Sequence, residues 1–310
     1  MTASPQYVCV SHTFIDDIVL PSGKTRMGVL GGGGIHAAAG IRVWDERPGL
    51  IGAAGRDMPE NARQRLQAEF DCQGITWLDV PQLRAWQLFE LDNRRTEVLR
   101  VTPQGLFEHD PAPTLCPDAY AGTRAAAILN WGAGFLQWRK HFPDAILLWE
   151  PNQTYMTPAN RDEFRQVLSA ANVVSPNLAE ARALYGIDPP EDLVCQMLED
   201  GAPVVALRMG EMGSLTGQRG RAELLYVPAV PVKRIIDQTG AGNAYCGGFL
   251  VGWYRTGDLW EASSYGAVSA SFALEVFGPI AVNDRVVAQR QKRYTWIKER
   301  IEPKTIGLRS

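Results

Sequence analysis

The chain has 310 residues, 45% of them hydrophobic, and a formal net charge of −3. That is enough length and apolar content for one large α/β unit spanning residues 1–310, and it excludes an intrinsically disordered chain. The near-neutral charge and the lack of any lysine-rich run argue against nucleic-acid binding.

In chain order, the opening MTASPQYVCVSH lacks the layout of a signal peptide, and no apolar run reaches the roughly 18 residues a membrane span needs. A cytoplasmic protein without membrane contact is expected. YVCV at 7–10 reads as a first strand. Residues 13–30 and 84–102 both read as strand–turn–strand, the second with an Asp-Asn turn, and together they predict a small antiparallel flap. Strand-length apolar runs then follow at 125–130, 145–150, 172–175 and 203–209. They alternate with helix-like segments, and 59–70, 158–171 and 190–200 mix apolar and charged residues at helical intervals. This alternation predicts a doubly wound, mostly parallel α/β sheet with helices on both faces. The five cysteines contain no C-x-x-C pair and the four histidines are scattered, so a structural metal or disulfide framework is not expected.

The segment richest in chemistry is 235–250, IIDQTGAGNAYCGGFL. An apolar strand end meets a glycine-rich turn and then a helix expected to start near Asn243. Gly240 and Gly242 allow backbone angles that turn successive amides of 240–243, Ala241 included, into one concavity at the positive end of a helix. The plainer reading is a glycine-rich helix entry, with Gly247 and Gly248 permitting close packing on the sheet.

The whole string resembles D-x-T-G-A-G-D-A-F-x-G-G-F, the C-terminal signature of the PfkB (ribokinase-like) family, matching at Asp237, Thr239, Gly240, Ala241, Gly242, Ala244, Gly247, Gly248 and Phe249. Other blocks follow in family order. GGGGIHAA at 31–38 is similar to G-G-x-x-x-N-x-A, with Gly32 kept and His36 in place of the asparagine that contacts sugar hydroxyls. Asp16 stands where the family has an acidic residue for substrate hydroxyls, and Gly52, Gly55 and Asp57 match a Gly-x-x-Gly-x-Asp block. EPN at 150–152 resembles D-P-N, NLAE at 177–180 is an intact N-x-x-E, and MGEMGS at 209–214 is similar to the G-E-x-G-S turn beside the nucleotide, with Gly210 and Gly213.

The resemblance implies a ribokinase-like fold with a β-flap lid, ATP with Mg²⁺ as cofactors, and transfer of phosphate to a hydroxyl of a small sugar, polyol or nucleoside. It implies that Asn177 and Glu180 organise phosphate and magnesium, Glu180 through water, and that Asp237 lies near a monovalent-cation loop for K⁺. A homodimer formed through the lid is also implied. From the residues alone, Asn177 and Glu180 equally form a capping box. Arg94, Arg95 and Arg100 are candidates to grip a phosphate-bearing substrate, or else a solvated face. Gly32-x-Gly34-x-x-Ala37 formally fits a relaxed dinucleotide fingerprint, but it follows the flap rather than the first strand of a βαβ unit.

One departure matters most. Asn243 occupies the position of the family's catalytic aspartate, and an amide accepts no proton at neutral pH. A weakened kinase is expected, with a catalytically silent nucleotide- or metabolite-binding protein as the alternative. His36 and Glu150 depart from the pattern as well, so several site positions have changed together.

Overall fold

A computed structural model describes residues 4–91, 95–101 and 111–305. The Asp-Asn turn at 92–93, Arg94 and residue 102 lie outside them. The elements in chain order are β1 (Tyr7–Val10), β2 (Phe14–Val19), β3 (Thr25–Gly31), α1 (Gly33–Arg42), β4 (Gly49–Gly55), α2 (Glu60–Glu69), β5 (Asp71–Leu78), β6 (Arg84–Phe89) and β7 (Arg95–Val101). After these come β8 (Ala125–Asn130), α3 (Gly132–His141), β9 (Ile146–Pro151), α4 (Arg161–Leu168), β10 (Val173–Val174), α5 (Leu178–Tyr185), α6 (Pro190–Glu199) and β11 (Val204–Arg208). The last are β12 (Ser214–Gln218), β13 (Glu223–Val227), α7 (Ala241–Thr256), α8 (Leu259–Ala273), α9 (Asp284–Lys298) and β14 (Glu302–Thr305).

The large sheet has the order β14-β13-β12-β11-β10-β9-β8-β1-β4-β5. From β5 to β11 its strands pair in parallel, and β12, β13 and β14 add an antiparallel edge. Its central strands are covered on both faces, so they read as continuous apolar runs. The two-residue period still sorts their side chains. Cys9, Ala125, Ala127 and Leu148 pack with α1, α7 and α8, while Val8, Val10, Ala126, Ile128, Leu147 and Trp149 pack with α3 to α6.

The sequence of strands runs outward from β1 in both directions, so the order reverses between β1 and β8. In such sheets ligands bind outside the carboxyl ends of the strands at this switch. The second sheet, β3-β2-β6-β7, lies there. Both of its hairpins are antiparallel, as the two strand–turn–strand segments predict, but the central β2–β6 pair is parallel. Pairing between segments some seventy residues apart in sequence carries no local turn signal, which is why the flap's mixed character escapes a reading of its strands.

Helix α7 begins at Ala241, two residues ahead of the expected start near Asn243. Its paired glycines serve other helices rather than the sheet. A Cβ on Gly247 would overlap the Ala37 carbonyl of α1, and one on Gly248 would come within 2.5 Å of the Tyr265 carbonyl of α8. From the other side, Gly40 of α1 would meet the Ala244 backbone. Helices α1 and α7 are therefore in main-chain contact.

Gly247→Val is expected to force these helices apart. Overpacking of this kind costs about 1–3 kcal/mol, to be read as a lower urea midpoint at unchanged denaturant slope.

Candidate active site

A cleft of about 670 Å³ opens at the carboxyl ends of β1, β8, β9 and β11 beneath the lid. It gathers Asp16, Gly32, His36, Asn177, Glu180, Gly210, Gly240, Gly242 and Asn243, residues drawn from separate blocks of the sequence. Other candidates fall outside its lining. Gly213 is a turn glycine at φ +84°, where a Cβ would strike the Val227 carbonyl. Asp237 is buried below the turn and accepts from the Thr239 amide at 2.9 Å. Ala241 packs its methyl group against the core. Asp57 is exposed and accepts from the Gln82 amide at 2.5 Å, tying the loop after β4 to the segment before β6 outside the cleft lining.

On the phosphate side, Gly240 caps α7 in the left-handed region at φ +74°, with no side-chain cap and no acidic residue in the first turn. The Ala241 amide already donates to the Gln238 carbonyl at 3.3 Å, so Ala241 drops out of the expected row of anion-facing donors. Gly242 and Asn243 lie in the first helical turn, whose amides the helix itself leaves unpaired. This is an electropositive, uncapped helix start at the floor of a cleft, suited to an anionic oxygen.

Beside that turn lies a residue the sequence analysis missed, Arg208. It ends β11, and its buried guanidinium bonds Glu150 Oε1 at 2.7 Å, approaches Glu180 Oε2 at 3.8 Å and donates to the Ser175 carbonyl at 2.8 Å. Burial opposes its charge, but Glu150, Cys246 and Glu180 outweigh that and push its pKa up. A Cβ on Gly242 would sit 2.5 Å from Arg208 Nη1. This glycine thus keeps room for the guanidinium as well as for a ligand. The signal was present: a charged residue closing a buried strand just before the MGEMGS block.

Asn177 and Glu180 form the capping box in full. Glu180 N donates to Asn177 Oδ1 and Asn177 N to Glu180 Oε2, each at 2.8 Å. Both also line the cleft. Burial raises the Glu180 pKa, against the pull of Arg208 and the Asn177 amide. Among the described residues no group of three or more His, Cys, Asp or Glu side chains could hold a metal ion by itself. A single cleft carboxylate fits a hydrated Mg²⁺ that arrives with nucleotide phosphates, because magnesium keeps several of its waters.

On the lid side, Asp16 is 3% exposed and accepts from Gln87 Nε2 at 3.0 Å, while Gln87 also donates to Glu97 at 2.9 Å. Burial lifts the Asp16 pKa to about 7; the Gln87 hydrogen bond opposes it and Glu97 adds to it. A Cβ on Gly31 would overlap the Asp16 carboxylate. Gln87 was also missed, although it shares the buried series Ala85, Gln87, Phe89 of an alternating strand. His36 is 2% exposed with neither ring nitrogen hydrogen-bonded. Burial, then Arg65 and Arg95, lower its pKa to about 3, so it is a neutral imidazole offering one donor and one acceptor. Arg95 lines the cleft, whereas Arg100 turns to Asp17 and lies over Trp86.

A doubly wound sheet whose switch-point cleft joins a polar, lidded pocket to an uncapped helix start is the architecture of a phosphate-handling α/β protein. The pfkB family carbohydrate kinase model matches residues 150–285. The chain is 35% identical over 304 residues to a nucleoside kinase of Methanocaldococcus jannaschii, covering 92% of this chain and 96% of that protein. It is 26% identical over 275 residues to a cytidine kinase of Thermococcus kodakarensis, covering 87% and 96%. The crystal structure of a putative ribokinase II from E. coli in complex with ATP and Mg²⁺ superposes with a TM-score of 0.74 at 17% identity, covering 96% of this chain and 100% of that one. The chain belongs to the PfkB family of carbohydrate kinases and has the ribokinase-like fold.

Two outcomes are expected. Asp16 holds its proton in the folded chain up to about pH 7, whereas an unfolded aspartate releases it near 4. Stability from this group is therefore lost as pH rises from about 4 to about 7. Asp16→Asn should melt like the parent near pH 4 and progressively above it towards pH 7.5. Arg208→Met should destabilise by about 3–5 kcal/mol, because it strands buried carboxylates, measured by chemical denaturation at pH 7.

Proposed function

We propose that this chain transfers the γ-phosphoryl group of ATP to a hydroxyl of a nucleoside, or of a small sugar or polyol. The observation that carries this reading is the single cleft in which Asn243 stands between a polar pocket under the lid and an uncapped helix start. The nucleoside and cytidine kinases among its relatives favour a nucleoside acceptor.

In this reading Asp16, Gln87 and His36 bind substrate hydroxyls, with Gly32 letting the chain pass close beneath them. The neutral His36 can serve as donor to one hydroxyl and acceptor from another. Gly240, Gly242 and Asn243 receive the transferring phosphoryl at the start of α7, and Asn177 and Gly210 flank the nucleotide. Glu180 would hold Mg²⁺ through water, and the ion would neutralise charge on the phosphates. Asp237, whose Oδ2 has no hydrogen bond among the described residues, is the candidate for K⁺.

The acceptor oxygen bonds to the γ-phosphorus as the bridging bond to ADP breaks. With an amide at 243, the hydroxyl is oriented but not deprotonated in advance, and its proton leaves to a transferring phosphoryl oxygen as the new bond forms. Absence of a general base costs about 10²–10⁴ in rate. The loose transition state of phosphoryl transfer still gains from positioning and from the amides at the helix start.

The outer strands β3 and β7 of the lid sheet leave open edges, with Met27, Val98 and Leu99 exposed. They support pairing of two copies through the lid. Among the described residues no helix is long and apolar enough to cross a membrane.

The test is ADP release from MgATP with cytidine, adenosine, ribose and glycerol as acceptors, with the phosphorylated product identified by mass. Slow, acceptor-dependent turnover that Gly240→Val abolishes is expected. If no acceptor raises ADP release above a protein-free control and calorimetry detects no ATP binding, the reading is wrong.

A further inference from the structure

Asn243 Nδ2 donates to Glu150 Oε1 at 2.9 Å, the same oxygen that takes Arg208 Nη1 at 2.7 Å. An ionised carboxylate only accepts hydrogen bonds, so the amide nitrogen must face Glu150 and Oδ1 must face elsewhere. That Oδ1 has no hydrogen-bond partner among the described residues, and Asn243 lines the cleft. Gly33 keeps the space open, since a Cβ there would stand 3.0 Å from Asn243 Nδ2.

The charged and titratable groups around this pair come from several elements. Arg208 closes β11, Glu180 lies on α5, Cys246 on α7, and the neutral His36 of α1 packs against Gly240. One guanidinium already faces two carboxylates, Glu150 and Glu180. A third carboxylate at 243 would put two like charges at hydrogen-bond distance in a low-dielectric site, where both cannot stay ionised.

We propose that Glu150 is the positioning residue for Asn243: it locks the amide with Oδ1 presented to the acceptor hydroxyl, and, as a glutamate one methylene longer than the aspartate of the family pattern, it disfavours an acid at 243 in this chain. Only the role of Oδ1 rests on the phosphoryl-transfer reading; the coupling between positions 150 and 243 rests on geometry alone. The two positions hold one carboxylate and one amide as a matched unit. Because Asn243 and Arg208 share one oxygen of Glu150, a carboxylate moved to 243 stays next to the same cation. With Glu150 at this distance, an acid at 243 becomes tolerable in this chain only when position 150 gives up its own charge.

The test compares Asn243→Asp, Glu150→Gln and the exchanged double variant E150Q/N243D with the parent. Melting is followed without ligand from pH 5 to 9, and ADP release is measured from MgATP with the same four acceptors. For Asn243→Asp, an acid pressed against Glu150 keeps its proton in the folded chain at pH values where the unfolded chain has released it. Relative to the parent it should lose melting temperature as pH rises. The double variant should remove that pH-dependent loss and exceed Asn243→Asp in turnover by at least about tenfold, since it places a base at 243 without a competing charge. Glu150→Gln alone should lower kcat more than it raises KM, because either face of the Asn243 amide can then meet residue 150.

The inference is overturned if Asn243→Asp melts like the parent at every pH, or if the double variant matches Asn243→Asp in both readouts. If the melting pattern is as expected while no protein turns over any acceptor, the coupling stands and the phosphoryl-transfer reading falls.

Discussion

A buried guanidinium holds the floor of the cleft together. Arg208 ends a strand of the sheet, yet it reaches the carboxylate that closes β9, the carboxylate in the first turn of α5 and the carbonyl at the end of β10. These groups approach the site from separate chain segments, and each would carry an unmet charge or acceptor without it. Removing charges from water is costly, and a pair of this kind adds little to stability compared with a well-packed apolar replacement. Its value lies in geometry. It fixes the orientation of Glu150 and leaves Glu180 half-engaged, with one oxygen in its capping box.

The two halves of the cleft differ in electrostatic character, and their burial explains why. Under the lid, Asp16 is tuned towards neutrality and His36 is held neutral, so these two groups can exchange hydrogen bonds with hydroxyl groups, while Arg95 and Glu97 bring charge of both signs to the same side. At the other end, an uncapped helix start and a guanidinium face the place where phosphate would lie. In the proposed reaction, a neutral polyhydroxyl acceptor and an anion would be sorted to opposite sides of Asn243.

Much of this was legible in the sequence. Alternating apolar and helical runs gave the parallel sheet, because strands covered on both faces must be apolar throughout. The ordered blocks around Asp16, His36, Asn177 and Asn243, read from their resemblance to the family pattern, named residues that the fold brings to one cleft. What stayed hidden depends on pairing between distant segments. Arg208 reads as one charge after an apolar run until Glu150 and Glu180 are brought to it. Gln87 reads as an ordinary polar position until β6 lies beside β2. The engaged amide of Ala241 depends on how Gln238 turns back, which the string DQTGAG does not state.

The contact between α1 and α7 has a consequence for how this site can change. Helix α1 carries His36 and α7 begins with the uncapped Gly240 turn, and where they cross at Gly40 and Gly247 only main-chain atoms separate them. The gap between the pocket at His36 and the turn at Gly240 is thus gauged by backbone, not by side chains that substitution could lengthen or shorten. Variation in the lid can alter which molecule is admitted and which of its hydroxyls is offered. In the proposed transfer, the reach across which the group would pass stays constant.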